Sequence, residues 1–386
     1  MRKTKSRAGA PQATAWSRFK TRAAARFAVT KQPKNSADTA TSKSRNPSRN
    51  KGVLRQLLGC FRAPRDEPAP SHPAPTETSE TPTADGCEEI DPHKFIFDRH
   101  LGTGGQGGVY AARYPQRDLI PGSPESFALK ISKIHAEQAS TPELALREYQ
   151  LHNLAAGHPN IATVYTGFTS GLRAPRAYLL TELLRGGDLY RLCRAWSGGL
   201  PKEHALEIAA QISAALLHMH DRGVAHCDLK PDNVLLAENF SVTGPNVVKL
   251  VDFGFALKFT TTKDGPIPER IPGGTLEFMC PEALDNQEID PTKQDIYSLG
   301  IMMCLLLRGK MPFNLPEEEQ NDRKAHLRAR AELDIRRDFF AAQEWNDVAP
   351  QLKGFIGMML NHNPAYRPSA VETLWFLRTF HVVDNG

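Results

Sequence analysis

The chain has 386 residues, 40% hydrophobic content and a net charge of +5, enough length for one large or two medium domains with an ample core. Its longest apolar runs, such as 301–307, are far too short to span a bilayer, and no apolar segment marks a secretory signal at the N-terminus. The six cysteines form no C-x-x-C pair or Cys/His cluster, which argues against structural zinc and for free thiols in an intracellular compartment, nucleus or cytoplasm.

The charge is unevenly placed. Residues 1–65 hold seventeen Lys/Arg against one Asp, residues 66–92 hold eight acidic residues and no Lys/Arg, and the remainder sums to −3. Residues 1–92 read as a disordered basic tail with a Pro/Thr/Glu-rich linker, too poor in apolar residues to build a core. Two stretches in it have amphipathic helical spacing: Trp16, Phe19, Ala23 and Phe27, then Val53, Leu54, Leu57, Leu58 and Phe61, each among arginines. Such a tail suits nucleic acid, an anionic membrane surface, a partner protein's groove or a targeting signal; a solvated tail without a partner is the alternative.

Globular patterning begins near Phe95. Strands are expected over 95–101, 109–114 and 127–134, a helix over 143–155, and strands over 161–168 and 177–181. After the Gly186-Gly187 turn, apolar residues recur at helical spacing over 202–222, with further helices at 292–308, 325–331, 349–360 and 370–376. A strand-rich portion followed by a larger helix-rich one predicts an α+β fold with two lobes. His218 and His220, inside the first long helix, are expected on its surface and not as ligands.

Four segments carry chemistry. Gly102-Thr103-Gly104-Gly105-Gln106-Gly107-Gly108-Val109 lies between two strands, where glycines let backbone N–H groups approach phosphate oxygens. That strand–loop–strand setting argues against a dinucleotide fingerprint, which needs a helix after the loop. Lys130, in Ala128-Leu129-Lys130 on the third strand, needs an acidic partner, for which the following helical stretch offers Glu143 and Glu148. In His226-Cys227-Asp228-Leu229-Lys230-Pro231-Asp232-Asn233, Asp228 and Asn233 are spaced so that one meets a hydroxyl while the other ligates a metal ion. Nineteen residues past Asn233, Asp252-Phe253-Gly254 sets a second metal-binding carboxylate on a sharp turn.

In this order the segments resemble the nucleotide loop, β3 lysine, catalytic loop and DFG segment of eukaryotic-type protein kinases. The resemblance covers about 95–380, with a domain over 93–382, a small β-rich N-lobe over 93–182 and a larger helical C-lobe over 183–382. It implies ATP and Mg²⁺ as cofactors and Ser/Thr hydroxyls of proteins as acceptors, the latter from Lys230 two residues after Asp228 and from Thr275. Leu101, residues 102–109, Ala128, Lys130, Glu148 and Leu235 would lie at the nucleotide. Thr181 would be the gatekeeper, the backbone around Glu182 and Leu184 would meet the adenine edge, and Asp188 would meet the ribose or cap a helix. Asp228 would be the base, Lys230 would neutralise the transferred phosphoryl group, Lys130 would hold the α- and β-phosphates, and Asn233 and Asp252 would ligate Mg²⁺. The segment between Glu148 and His158 runs one residue longer than usual, which leaves the local register open.

Residues 274–282 resemble the substrate-facing segment. Glu282 is expected to pair with Arg367 and Asp295 to brace the catalytic loop. Cys227 replaces the arginine that in many kinases binds a phosphate on the activation loop, and Arg270, Ile271 and Pro272 offer no hydroxyl just before Gly274. Activity is therefore expected without activation-loop phosphorylation, Thr260, Thr261 and Thr262 being the sites to watch. Asp188, Asp232 and Glu277 fall where basic-directed relatives carry acidic groups, which implies Arg or Lys upstream of the acceptor. The competing readings are a pseudokinase scaffold, against which Lys130, Glu148, Asp228, Asn233 and Asp252 are all present, and a small-molecule kinase, against which residues 274–282 stand. A nucleic-acid-binding protein with a secondary kinase part stays open from the tail.

Overall fold

The computed structural model describes residues 90–104, 107–116, 120, 122, 124–134, 146–171, 175–263 and 265–384. The tail with its two amphipathic stretches, Gly105, Gln106 and Glu143 lie outside the described residues.

Alternating apolar residues build the first layer. In β3 (Phe127–Lys133), Phe127 and Leu129 are buried while Lys130 stands on the opposite side of the pleat. With β1 (Ile96–Gly104), β2 (Gly107–Arg113), β4 (Val164–Ser170) and β5 (Arg176–Glu182) it forms an antiparallel sheet of order β1-β2-β3-β5-β4. Lys130 is registered opposite Val109 on one side and Leu179 on the other. Phe95, Ala112, Tyr114, Ile120, Phe127, Leu129 and Leu180 form the core of this layer. Phe95 meets Tyr114 at 4.9 Å and Phe127 edge-on at 5.8 Å, pairs that add about 0.5–1.5 kcal/mol each beyond area burial. Helix α1 (Arg147–Ala155) packs against β4.

The second layer is helical: α2 (Leu189–Ala195), α3 (Lys202–His220), α4 (Pro281–Leu284), α5 (Pro291–Arg308), α6 (Arg323–Glu332), α7 (Pro350–Met359) and α8 (Ala370–Asp384). Helix α5 is buried on nearly every face, which makes it the core of the layer. Its start is fixed by Asp290, whose carboxylate accepts from Thr292 N–H at 2.9 Å, with Pro291 in the first turn. It stops at Gly309, whose φ of 64° and whose missing Cβ, which would lie 2.2 Å from Ser197 O, both require glycine. Helix α3 packs on α5 and α8. Among the described residues no helix is long and apolar enough to cross a membrane.

Very short strand pairs lie beside the helices. β6 (Val224–Ala225) pairs with β9 (Leu257–Lys258), β7 (Val234–Leu236) with β8 (Val248–Leu250), and β10 (Thr261–Thr262) with β11 (Gly265–Pro266). The first two pairs clamp the ends of 226–233 and 252–254. Strands of two or three residues carry no readable periodicity, and neither these nor α2 is visible in the sequence pattern.

Three expectations are corrected. β4 starts at Val164 because Ile161 makes an isolated bridge with Leu250 instead. Helix α8 continues past 376 to Asp384. His220 is not a surface residue: its side chain is only 9% exposed and its Nε2 lies 2.9 Å from Asp295 Oδ2.

Candidate active site

The pleat of β3 and the first turn of α1 bring Lys130 and Glu148 together. Lys130 Nζ donates to Glu148 Oε1 at 2.8 Å, to Glu148 Oε2 at 2.9 Å and to Asp252 Oδ1 at 2.9 Å. The extra residue after Glu148 therefore does not displace it. Burial alone pushes the Lys130 ammonium down, but the Glu148 and Asp252 carboxylates outweigh it and hold its pKa above the ordinary lysine value. Burial pushes the Asp252 carboxyl up, and Lys130 with the Gly254 N–H at 3.2 Å outweighs that, so Asp252 stays below the usual range.

Asp252 and Cys227 have left-handed backbones, with φ of 61° and 62°, a conformation that costs non-glycine residues on the order of 1 kcal/mol and persists only when neighbours impose it. Asp295, fully buried on α5, does so at Cys227: its Oδ1 accepts from Cys227 N–H at 2.8 Å and its Oδ2 from His226 N–H at 2.9 Å. His220 meets the same Oδ2.

Asp228, buried, is the hub of the loop. Its Oδ1 accepts from Thr275 N–H and from Thr275 Oγ1, both at 2.7 Å. Its Oδ2 lies 3.0 Å from Lys230 Nζ and 3.1 Å from Asn233 Nδ2. Lys230 Nζ also donates to Thr275 Oγ1 at 2.7 Å, so a hydroxyl sits between the carboxylate and the ammonium. Asn233 Nδ2 donates to Asp228 O at 2.8 Å as well, so the Asn233 side-chain oxygen is the atom that could hold a metal. Among the described residues no group of three or more His, Cys, Asp or Glu is arranged to hold a metal. The pair of oxygen donors on Asn233 and Asp252 fits Mg²⁺, which is held through one or two protein oxygens with phosphate oxygens and water completing the shell.

The glycine loop separates two kinds of glycine. A Cβ on Gly107 would lie 1.8 Å from Ile131 O, so β3 forbids any side chain there; a Cβ on Gly102 would meet nothing within 4 Å. Packing does not require glycine at 102, which suits close approach of a phosphate to its backbone. Leu101, Val109, Ala128 and Leu235 are half-buried apolar residues, Ala128 lies opposite Thr181, and Leu235 bridges to Asp188. Asp188 caps α2 by accepting from Arg191 N–H at 2.7 Å. Glu182 turns its carboxylate to Thr163 N–H and Lys249 Nζ, both at 2.6 Å, and its own N–H to Thr163 O. Of the hinge N–H groups, those of Leu183 and Leu184 lie outside these pairings, and those of Arg185 and Gly186 bond Ala237 and Leu236.

Sequence reasoning missed two residues here. Arg330, fully buried on α6, donates to Met279 O at 3.0 Å, Leu276 O at 3.0 Å and Glu277 O at 2.8 Å, which holds the segment carrying Thr275. His152 stacks on Phe253 at 4.2 Å, and His226 meets Phe253 from another direction at 5.3 Å. Neither residue has a local signal; each looks like an ordinary polar member of a helix.

Burial pushes the His152 imidazole down from 6.5 to about 4; His226 and Lys130 push the same way, while the Ala162 carbonyl and Asp252 oppose. The unfolded chain therefore takes up this proton first as pH falls. Stability present above 6.5 is lost progressively toward 4, by up to roughly 3 kcal/mol from this one group. Urea melts across that window should show His152→Leu losing less stability than the wild type; equal losses would disprove the assignment.

The family model described as "Protein kinase domain" matches residues 95–376. CBL-interacting protein kinase 20 of Oryza sativa subsp. japonica is 30% identical over 293 residues, which are 73% of this chain and 57% of that protein. CBL-interacting serine/threonine-protein kinase 7 of Arabidopsis thaliana is 30% identical over 304 residues, 75% of this chain and 62% of that one. Aurora kinase A-A of Xenopus laevis is 28% identical over 288 residues, 74% of this chain and 62% of the relative. The chain thus spans 57–62% of the length of these relatives.

Proposed function

Because the chain belongs to the protein kinase domain family, we propose that it is a serine/threonine kinase that moves the γ-phosphate of ATP to Ser and Thr hydroxyls of proteins. The observation that carries this reading is the Lys130–Glu148 ion pair with Asp252 beside it, since phosphoryl transfer in this family requires that pair and a carboxylate placed for the metal. When bound, ATP with Mg²⁺ supplies the phosphoryl group and neutralises its charge; Asn233 and Asp252 would hold the metal. Asp228 orients the acceptor hydroxyl and takes its proton as the hydroxyl oxygen bonds to the γ-phosphorus and the β–γ bridging P–O bond breaks. Lys230 stabilises charge on the group in transit, as its contact with the Thr275 hydroxyl supports. Lys130 positions the α- and β-phosphates. Most of the rate gain is positioning and electrostatics. We take 93–382 as the catalytic unit, with lobes over 93–182 and 183–382, and the +16 stretch 1–65 as an arm for a polyanion or partner protein.

Two finer readings belong to the same proposal. Activity does not require activation-loop phosphorylation: Cys227 is fully buried, and its thiol is pushed well up by burial and then by the Asp295 charge, so it stays neutral. Substrates carry Arg or Lys upstream of the acceptor: burial pushes the Asp232 carboxyl up, Lys230 opposes and Asp188 adds to the rise, which supports Asp232 and Asp188 acting together on a basic residue, with Glu277, two residues after Thr275, as the third acidic group.

The test is γ-phosphate transfer from Mg·ATP to Arg-containing Ser/Thr peptides by bacterially made, phosphatase-treated protein. Transfer is expected. Inactivity, restored by a phosphosite in 258–273, would overturn loop independence; inactivity with ATP still raising the melting temperature would move the protein to the scaffold class. A peptide array favouring acidic or proline-directed sites would overturn the basic preference.

A further inference from the structure

The segment from Ala256 to Thr275 is tied to the rest of the protein at several points, and among the described residues one tie on its returning limb is apolar side-chain packing on a cluster that includes Cys227. Its outgoing limb is fixed by main-chain bonds: β9 pairs with β6, and Phe259 N–H donates to Gly223 O at 2.8 Å. Its middle is the β10–β11 hairpin, closed by Ile267 N–H on Thr260 O at 2.8 Å. Its returning limb is held by a two-bond bridge between Glu269 and Ile289, at 2.8 and 2.9 Å. Two residues later comes Ile271, which packs with Leu257 on the buried cluster of Ala225, Cys227 and Phe259.

The chain then crosses directly over the catalytic loop. A Cβ on Gly274 would lie 2.9 Å from Cys227 O, and Gly274 adopts a φ of 148°. The next residue, Thr275, places its N–H and its hydroxyl on Asp228. Ile271 is therefore the last side-chain anchor before the segment reaches the base. The cations nearby are spent elsewhere: Arg147 donates to Ala256 O at 2.8 Å, and Arg270 lies 3.7 Å from Glu288. A β-branched side chain packed on a buried apolar cluster that includes a thiol and an aromatic ring stands where a charged pair would otherwise be needed.

We infer that Ile271, packed on the buried cluster of Ala225, Cys227 and Phe259, is a positioning residue that holds the substrate-facing segment in register with Asp228. This apolar contact takes over the ordering that a phosphate–arginine pair supplies in other kinases. The inference rests on the reading of the protein as an active kinase independent of loop phosphorylation, and it deepens that reading by naming what replaces the phosphate.

Ile271 is half-buried, so substitutions there leave the two lobes' cores intact. Phosphatase-treated wild type, Ile271→Asp and Ile271→Val are compared for kcat and KM on a Ser/Thr peptide, for ATP hydrolysis without peptide, and for tryptic cleavage at Lys258, Lys263 and Arg270. Ile271→Asp is expected to raise peptide KM and lower kcat/KM by about tenfold or more. It should also speed cleavage, with peptide-free ATP hydrolysis and melting temperature near wild type, and Ile271→Val should restore wild-type values. A merely structural role would lower the melting temperature and kcat and leave KM unmoved, which would overturn the inference. So would a fully active Ile271→Asp. An inactive phosphatase-treated wild type instead refutes the underlying reading, and the two failures are told apart by that arm alone.

Discussion

Lys130→Met is expected to lower kcat/KM for peptide phosphorylation by about a thousandfold or more, the scale of removing a preorganised charge from a reacting centre. Lys130 makes three hydrogen bonds to two carboxylates, and the methionine leaves Glu148 and Asp252 facing each other without a cation. Two effects combine. The phosphates lose their positioning charge, and the Asp252 carboxyl, held low by Lys130, moves up toward protonation and becomes a poorer metal ligand. Asp252→Asn should lose a similar factor. Asp228→Asn should retain more turnover than either, because Lys230, Thr275 and Asn233 still order the loop while proton acceptance alone is lost. Initial-rate kinetics on the three variants, with melting temperatures as a folding control, check the ranking. If Asp228→Asn proved the most damaging, proton transfer and not electrostatic positioning would dominate.

Arg367→Met should cost about 3–5 kcal/mol of stability, the range for stranding one partner of a buried ion pair. The Arg367 side chain is 0% exposed and the Glu282 side chain 9%. Arg367 Nη2 donates to Glu282 Oε2 at 2.8 Å, Nη1 donates to Oε1, and Nε donates to Asn361 O at 2.7 Å. Its guanidinium also lies 4.9 Å from the Tyr297 ring centroid. Glu282 opens α4 just after the segment 274–280, so the same pair ties that segment to the helical layer. Combining Arg367→Met with Glu282→Leu should recover part of the loss, since the stranded carboxylate is then removed. Urea unfolding of the single and double variants measures this; a single-variant loss under about 1 kcal/mol would mean the pair behaves like a surface one.

The two sites differ in how far they could be read from the sequence. Asp228, Asn233 and Asp252 stand out because a phosphoryl-transfer loop needs particular groups at fixed offsets within a few residues. Gly102 and Gly107 also stand out, yet only the structure separates them: one is glycine because β3 presses on it and the other for no packing reason. Asp188 has two roles open to it in the sequence, a ribose contact and a helix cap, and its bond to Arg191 N–H supplies the second. The resemblance pairs Lys130 with Glu148 ahead of Glu143 and leaves the register after Glu148 open, and the bonds of 2.8 and 2.9 Å bring Lys130 and Glu148 together.

The sequence by itself determined the strand at β3, the apolar stripe of α3, the helix at α5 and the α+β order, since each depends on residues within one or two turns or pleats. Tertiary structure alone decided that His220 meets Asp295, seventy-five positions away, that Arg330 holds carbonyls fifty-one to fifty-four positions back, and that Ile271 packs on the cluster of Ala225, Cys227 and Phe259. The reason is physical. Local periodicity and capping are energies of neighbouring residues. A buried imidazole, guanidinium or methyl group takes its role from whatever the fold packs against it, and no short stretch of sequence contains that partner.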